Sequence, residues 1–270
     1  MSFRSSHHQE FEAPAPLTDA VKCFWHHRRG AEETASDFDV LPDGHVEIIF
    51  AFGSTCSVLR DGAWRRLPSP FMMGLLDQTA TLRADGPLDI LAVRCHPWAV
   101  FDLLGLPANQ DEVQVLDHPI ARLQSILAQC LSSGSIEDAL SSLAAFLMNT
   151  RMAPPEKSML SKAGTAMSAA HGTLPVSAVA TAAHATVRTL ERKFKQSSGH
   201  TVKDVSGLMR FEQVRNRLFT ASEACIAGLA QEFGYTDQSH LTREFKRYSG
   251  TTPAAFARRL MLSRLSKPAE

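Results

Sequence analysis

Leu190-Glu191-Arg192-Lys193-Phe194-Lys195-Gln196-Ser197-Ser198-Gly199-His200-Thr201 returns 51 residues later as Leu241-Thr242-Arg243-Glu244-Phe245-Lys246-Arg247-Tyr248-Ser249-Gly250-Thr251-Thr252, with seven of twelve positions identical. Leu190 and Phe194 are four residues apart, as are Leu241 and Phe245. That spacing puts each pair on one helical face, which must pack inward. Arg192 and Arg243 stand two residues from these anchors and therefore point away from the core. Arg188, Arg192 and Lys195 form an outward basic stripe in the first copy, and Ser239, Arg243 and Lys246 occupy the same stripe in the second. Gly199 and Gly250 supply the left-handed residue that commonly ends a helix.

Upstream of each copy lies a short Ala-rich segment and a tight turn. Val176 to Ala183 precedes Thr186, an expected N-cap. Ile226 to Phe233 precedes Gly234-Tyr235-Thr236-Asp237, with Asp237 the second expected N-cap. Short helix, turn, basic helix is the order of a helix-turn-helix. Between the copies, Thr201 to about Ala221 has no proline, and Leu208, Phe211, Val214, Leu218 and Phe219 recur at helical spacing. Thr201 with Asp204 forms a capping-box pattern. Twenty helical residues span about 30 Å, and one turn of DNA is about 34 Å, the separation at which two reading helices enter successive major grooves.

With these residues in view, Leu174 to about Arg259 resembles the DNA-binding domain of AraC-type transcription regulators. The most specific stretch runs Gly234-Tyr235-Thr236-Asp237-Gln238-Ser239-His240-Leu241-Thr242-Arg243-Glu244-Phe245-Lys246, then Gly250-Thr251-Thr252-Pro253. Ala180 to Gly199 fits the first unit less sharply. The resemblance implies a seven-helix domain with two helix-turn-helix units joined by a long helix, binding DNA as a monomeric module. It places base contacts at Arg188, Glu191 and Arg192.

The chain has 270 residues, room for two domains, and a formal net charge of zero. That total hides a dipole. Residues 1–155 hold 11 Lys and Arg against 19 Asp and Glu, a net of −8; residues 156–270 hold 17 against 9, a net of +8. The basic half contains both repeats, an asymmetry that points to nucleic-acid contact. It also gives the acidic half a reason to lie near the basic face and restrain it, unless the two charged surfaces face apart. The five cysteines, Cys23, Cys56, Cys95, Cys130 and Cys225, are scattered and never in C-x-x-C spacing. They read as reduced thiols of a cytoplasmic protein. There is no long apolar run for a membrane span, and Met1 to Gln9 reads as a polar, disordered start without a signal peptide.

Residues 38–118 read as β-rich. Val46, Ile48, Phe50 and Phe52 alternate onto one strand face, Asp61-Gly62 marks a hairpin, and Ile90 to Cys95 reads as a strand ended by His96-Pro97. Ala99 to Leu104 reads as a short helix stopped by Gly105 and Pro107. His45 and Glu47 are expected on a solvent-facing polar side, with a metal pair as the alternative. His26-His27-Arg28-Arg29 is expected to be an exposed charged strand end or loop. Cys95-His96 invites comparison with a nucleophile and base, yet neighbours on a strand point to opposite faces. Two apolar stripes follow, Ile120, Leu123, Ile126, Leu127, Cys130 and Leu131, then Ile136, Leu140, Leu143, Phe146 and Leu147, and Ala153-Pro154-Pro155 breaks the pattern. Such stripes pack on each other, on a neighbouring domain or in a dimer. Pro14 to Trp25, Leu41 to Phe50, Gly74-Leu75-Leu76 and Ala92-Val93-Arg94 before Pro97 resemble an uncharacterised domain often found ahead of AraC-type DNA-binding domains. His96-Pro97-Trp98 departs from its usual aromatic-Pro-Gly.

The expected fold is α+β: a β-rich N-terminal regulatory domain over 1–118, a helical connector over 119–155, and an all-α DNA-binding domain over 156–270 with recognition helices at about 186–198 and 238–249. Base readers are expected at Thr186, Arg188, Glu191 and Arg192 in the first and at Gln238, Ser239 and Arg243 in the second, because Arg reads guanine and Gln adenine bidentately. Lys195, Lys246 and Arg247 are expected on phosphates, which position without specifying. No catalytic, metal or cofactor site is expected. The partners expected are double-stranded DNA, with RNA polymerase and a small-molecule effector as candidates and no membrane. Two other readings stay open: a metal- or cysteine-dependent alkyl-transfer sensor, against which the wide cysteine spacing argues, and a small-molecule sensor acting through the N-terminal domain.

Overall fold

The computed structural model describes residues 7–30, 36–106, 113–151, 158–220 and 225–265. Ten strands form two antiparallel sheets among these residues. The larger sheet has the order β1-β2-β9-β4-β7-β10. Its strands are β1 (His7–Glu12), β2 (Val21–Arg29), β9 (Leu88–Cys95), β4 (Val46–Gly53), β7 (Phe71–Met73) and β10 (Val113–Val115). The smaller has the order β3-β8-β5-β6, from β3 (Ser36–Val40), β8 (Ala80–Ala84), β5 (Cys56–Arg60) and β6 (Ala63–Leu67). Asp61 and Gly62 turn β5 into β6 with φ of +51° and +75°, the two positive angles that a tight two-residue hairpin requires.

The larger sheet is buried on both faces. Val46, Ile48 and Phe50 of β4 join Phe24, Leu91 and Val93 in a core shared with the helices. Ile49, Trp25, Ile90 and Ala92 point the other way and meet Val58, Leu82 and Ala84 of the smaller sheet. Burial on both faces explains why β4 and β9 read as nearly continuous apolar runs.

Three sequence expectations are corrected here. Strand structure begins at His7, well before residue 38: β1 is a polar edge strand, and the part of the start from His7 on is paired with β2. His26 and Arg29 are buried, not exposed. His26 Nε2 lies 2.5 Å from Asp89 Oδ1, Arg28 donates to Asp89 Oδ2, and Arg29 donates to the carbonyls of Ala84 and Gly86. Glu47 does not face solvent; it accepts from Trp25 Nε1 at 3.1 Å and Arg94 Nε at 2.8 Å between the sheets, while His45 stands just before β4 with Nδ1 2.9 Å from the Asp43 carbonyl oxygen.

The helix α1 (Val100–Leu104) ends at Gly105 as expected, whereas Pro107 lies outside the described residues. Helices α2 (Leu123–Ser132) and α3 (Ile136–Thr150) pack on each other and on the core of the larger sheet. Ile126 is the member of the first stripe that faces outward, 47% exposed. Arg151 closes α3 onto the β-rich domain, donating to the Pro16 carbonyl and pairing with Asp19. The Pro154-Pro155 break lies outside the described residues.

Among the described residues seven helices follow, α4 (Met159–Ala169), α5 (Val176–Ala182), α6 (Val187–Ser198), α7 (Val202–Thr220), α8 (Ile226–Glu232), α9 (Gln238–Ser249) and α10 (Pro253–Leu265). Leu208, Phe211, Val214 and Leu218 of α7 are buried as their spacing predicts, and Phe219 is 42% exposed. The two halves share one continuous apolar core. Across the seam Arg215 donates to the Pro42 carbonyl, Thr79 Oγ1 to the Tyr248 carbonyl and Ser197 Oγ to the Trp98 carbonyl. Apolar burial and hydrogen bonds hold this seam, so the opposite net charges of the halves are not needed to account for the docking.

Candidate nucleic-acid interface

Helix α6 starts at Thr186, whose Oγ1 accepts from the Thr189 amide at 3.2 Å, and α9 starts at Asp237, whose Oδ1 accepts from the His240 amide at 2.7 Å. Both end on glycine in the left-handed region, Gly199 at φ +75° and Gly250 at φ +70°, where each amide donates back to the carbonyl of Lys195 or Lys246. The shared register therefore extends from cap to cap. Removing the Asp237 cap, as in Asp237→Ala, is expected to destabilise by about 0.5–2 kcal/mol, read as a lower thermal midpoint; an unchanged midpoint would contradict the cap.

Leu190, Phe194, Leu241 and Phe245 are fully buried. The opposite faces are open: Thr186, Arg188, Arg192, Lys195, Gln238, Ser239, Arg243, Lys246 and Arg247 are all exposed with the β-rich domain docked. Lys195, Lys246 and Arg247 lie in the last turns, where the helix dipole favours cations. Helix α7 carries the separation, 19 residues, or about 28 Å at 1.5 Å per residue. Its start is fixed by the expected box: the Thr201 amide donates to Asp204 Oδ2 and the Asp204 amide to Thr201 Oγ1, both at 3.1 Å. Partial burial works against the Asp204 carboxylate, yet the Thr201 hydroxyl and amide hold its pKa below the ordinary value.

Glu191 differs from the rest of the set. It is half-buried, and its Oε2 accepts from the Val202 amide at 3.3 Å, which joins α6 to the start of α7. A network behind α9 has almost no signature in the sequence. Arg210 of α7 donates to the Gly172 carbonyl at 3.0 Å and to Glu244 Oε1 at 3.2 Å, and lies over the Tyr235 ring at 5.2 Å. It ties the first unit, the long helix and α9 together. The only sequence signal for it was Gly234-Tyr235, read as a turn. Lys195 of α6 and Arg247 of α9 line one cleft of about 330 Å³ with Asp77 of the β-rich domain, His200, Asp204 and Tyr248.

Residues 179–259 match the family model of a helix-turn-helix domain, and residues 9–117 match a domain of unknown function, DUF6597. The C-terminal part of the chain is a helix-turn-helix domain, and the chain is a DNA-binding transcription regulator. Among solved structures, the regulator is similar to ToxT from Vibrio cholerae at 10% identity and a TM-score of 0.46, over 94% of this chain and 98% of that one. The DNA-binding domain of AdpA, solved in complex with a target DNA, is 21% identical with a TM-score of 0.38, over 42% of this chain and 100% of that one. The AraC-like transcriptional activator CuxR is 10% identical with a TM-score of 0.31, over 97% of this chain and 96% of that one. No curated protein matches the regulator.

Cys23, Cys56 and Cys95 are buried, and burial pushes the Cys56 thiol up to about 11 and Cys95 higher still. Burial, with His45 and Lys22 nearby, lowers His96 to about 4, so Cys95 and His96 are both neutral near pH 7. Among the described residues no three His, Cys, Asp or Glu side chains gather as metal ligands, and no helix of the described residues is long and apolar enough to cross a membrane.

Proposed function

We propose that this regulator reads DNA by inserting α6 and α9 into successive major grooves of one duplex. The observation that carries the reading is the paired outward face, Arg188–Arg192–Lys195 and Ser239–Arg243–Lys246, capped alike and exposed while the β-rich domain is docked. Arg188, Arg192, Gln238, Ser239 and Arg243 face bases. Thr186, which caps α6, joins the base-facing set, and Lys195, Lys246 and Arg247 hold phosphates. Glu191 serves the base-facing set while tying α6 to α7. The division at 118 and 155 remains our domain reading: a regulatory unit, a connector of α2 and α3, and the DNA-binding unit, a non-enzymatic and cytoplasmic arrangement. A small-molecule effector and RNA polymerase are the further partners this reading assigns to it.

Salt tests the reading. Three phosphate contacts give a slope of about −2.7 for log affinity against log salt, or a loss of about 40-fold between 50 and 200 mM, since each neutralised phosphate releases counterion. Full-length protein titrated against duplex DNA at several salt concentrations should show this slope or a steeper one. An affinity that ignores salt would refute DNA binding through these cations.

A further inference from the structure

We propose that Trp98, a residue of the β-rich domain, is a positioning residue for the first recognition helix, α6, whereas the second, α9, is positioned by α7. Trp98 lies in the loop between β9 and α1, yet it is only 3% exposed. Its ring fills a slot beside Gly164 of α4: a Cβ at Gly164 would fall 2.0 Å from Trp98 Cε2, so only hydrogen fits there. His96 stacks on the ring at 4.8 Å, and Phe194 meets it at 6.3 Å. The Trp98 carbonyl accepts from Ser197 Oγ at 3.0 Å. Phe194 and Ser197 both belong to α6, and α1, which begins two residues after Trp98, packs against α6 as well. A shift of the His96–Ala99 loop therefore either carries α6 with it or breaks a ring contact, a hydrogen bond and a helix packing together.

Helix α9 is held differently. Arg210 of α7 binds Glu244 at its middle, and Phe211 of α7 packs on Phe245 at 4.9 Å. Lys193 takes the place of Glu244 in α6 and is exposed. The β-rich domain reaches α9 at its last turn, through Thr79 and the Tyr248 carbonyl at 3.2 Å. Helix α6 also meets α7, through Glu191 and the Val202 amide, but only α6 has the added tie of Phe194 and Ser197 to the Trp98 loop, so any change in the β-rich domain that moves that loop alters the reading of one half of the DNA site before the other.

This inference rests on α6 and α9 being the reading helices, but its first test needs no DNA. Amide hydrogen exchange is measured helix by helix in the full chain. In Trp98→Ala, and independently in Gly164→Ala from the other wall of the slot, α6 amides exchange about tenfold faster or more while α7 and α9 keep their rates, as local opening allows. If either variant accelerates all helices together, Trp98→Phe and Ser197→Ala decide, because they remove less. Faster exchange confined to α6 in these supports the proposal; equal acceleration in α6 and α9, or none in α6, overturns it. Failure of the DNA reading is separable, since it shows as wild-type protein that binds no duplex whatever its exchange pattern.

Discussion

Phe245→Ala is expected to lower the free energy of unfolding by about 3–5 kcal/mol, the range for deleting a buried aromatic ring. Phe245 has no exposed surface and packs against Phe211 at 4.9 Å and Phe256 at 5.4 Å. Its loss opens a cavity where α7, α9 and α10 meet, in a core too closely packed to collapse around it. Phe194→Ala is expected to act on the same scale, since Phe194 is equally buried at the equivalent place in α6. Urea denaturation followed by helical signal reads the effect as a lower midpoint. Unchanged midpoints in both variants would contradict the inward register on which the outward faces depend.

Arg192→Ala and Arg243→Ala are each expected to weaken binding to a preferred duplex by about 1–3 kcal/mol and to relax preference at one position, because a bidentate arginine contact with guanine is worth that much discrimination. Neither side chain holds up the fold: both are exposed, on the face opposite the buried Leu and Phe. Their loss should leave the melting midpoint in place. Lys195→Ala should instead weaken preferred and random duplexes alike, since a phosphate contact carries no sequence information. Titration of each variant against a preferred and a scrambled duplex separates the two roles. Equal losses on both duplexes for the arginine variants would move Arg192 and Arg243 to the phosphate backbone.

The DNA-binding half was largely legible in the sequence because its determinants are local. The Leu-Phe pairs, the caps at Thr186 and Asp237, the Thr201–Asp204 box and the closing glycines all act within one or two helical turns, so spacing alone reveals them. What stayed hidden depends on contacts between distant segments. Trp98 and Gly164 are 66 positions apart, and nothing periodic links a loop tryptophan to a helical glycine. Arg210 reads as one more surface cation until Glu244 and Gly172 are brought beside it. The β1–β2 pair was missed because β1 is almost wholly polar and shows no apolar alternation, and His26 and Arg29 read as exposed until Asp89 and the carbonyls of Ala84 and Gly86 are brought beside them. Glu47 likewise reads as a surface carboxylate until Trp25 and Arg94 close over it.

Two helices of one chain that read two neighbouring grooves should leave two separate blocks of base preference. Selection of bound sequences from random duplex DNA with the purified full-length protein tests it most directly. The centres of these blocks are expected one helical turn apart, about 10–10.5 base pairs, with Arg192→Ala flattening one block and Arg243→Ala the other. A single block flattened by both variants, or no base preference at all, would contradict it.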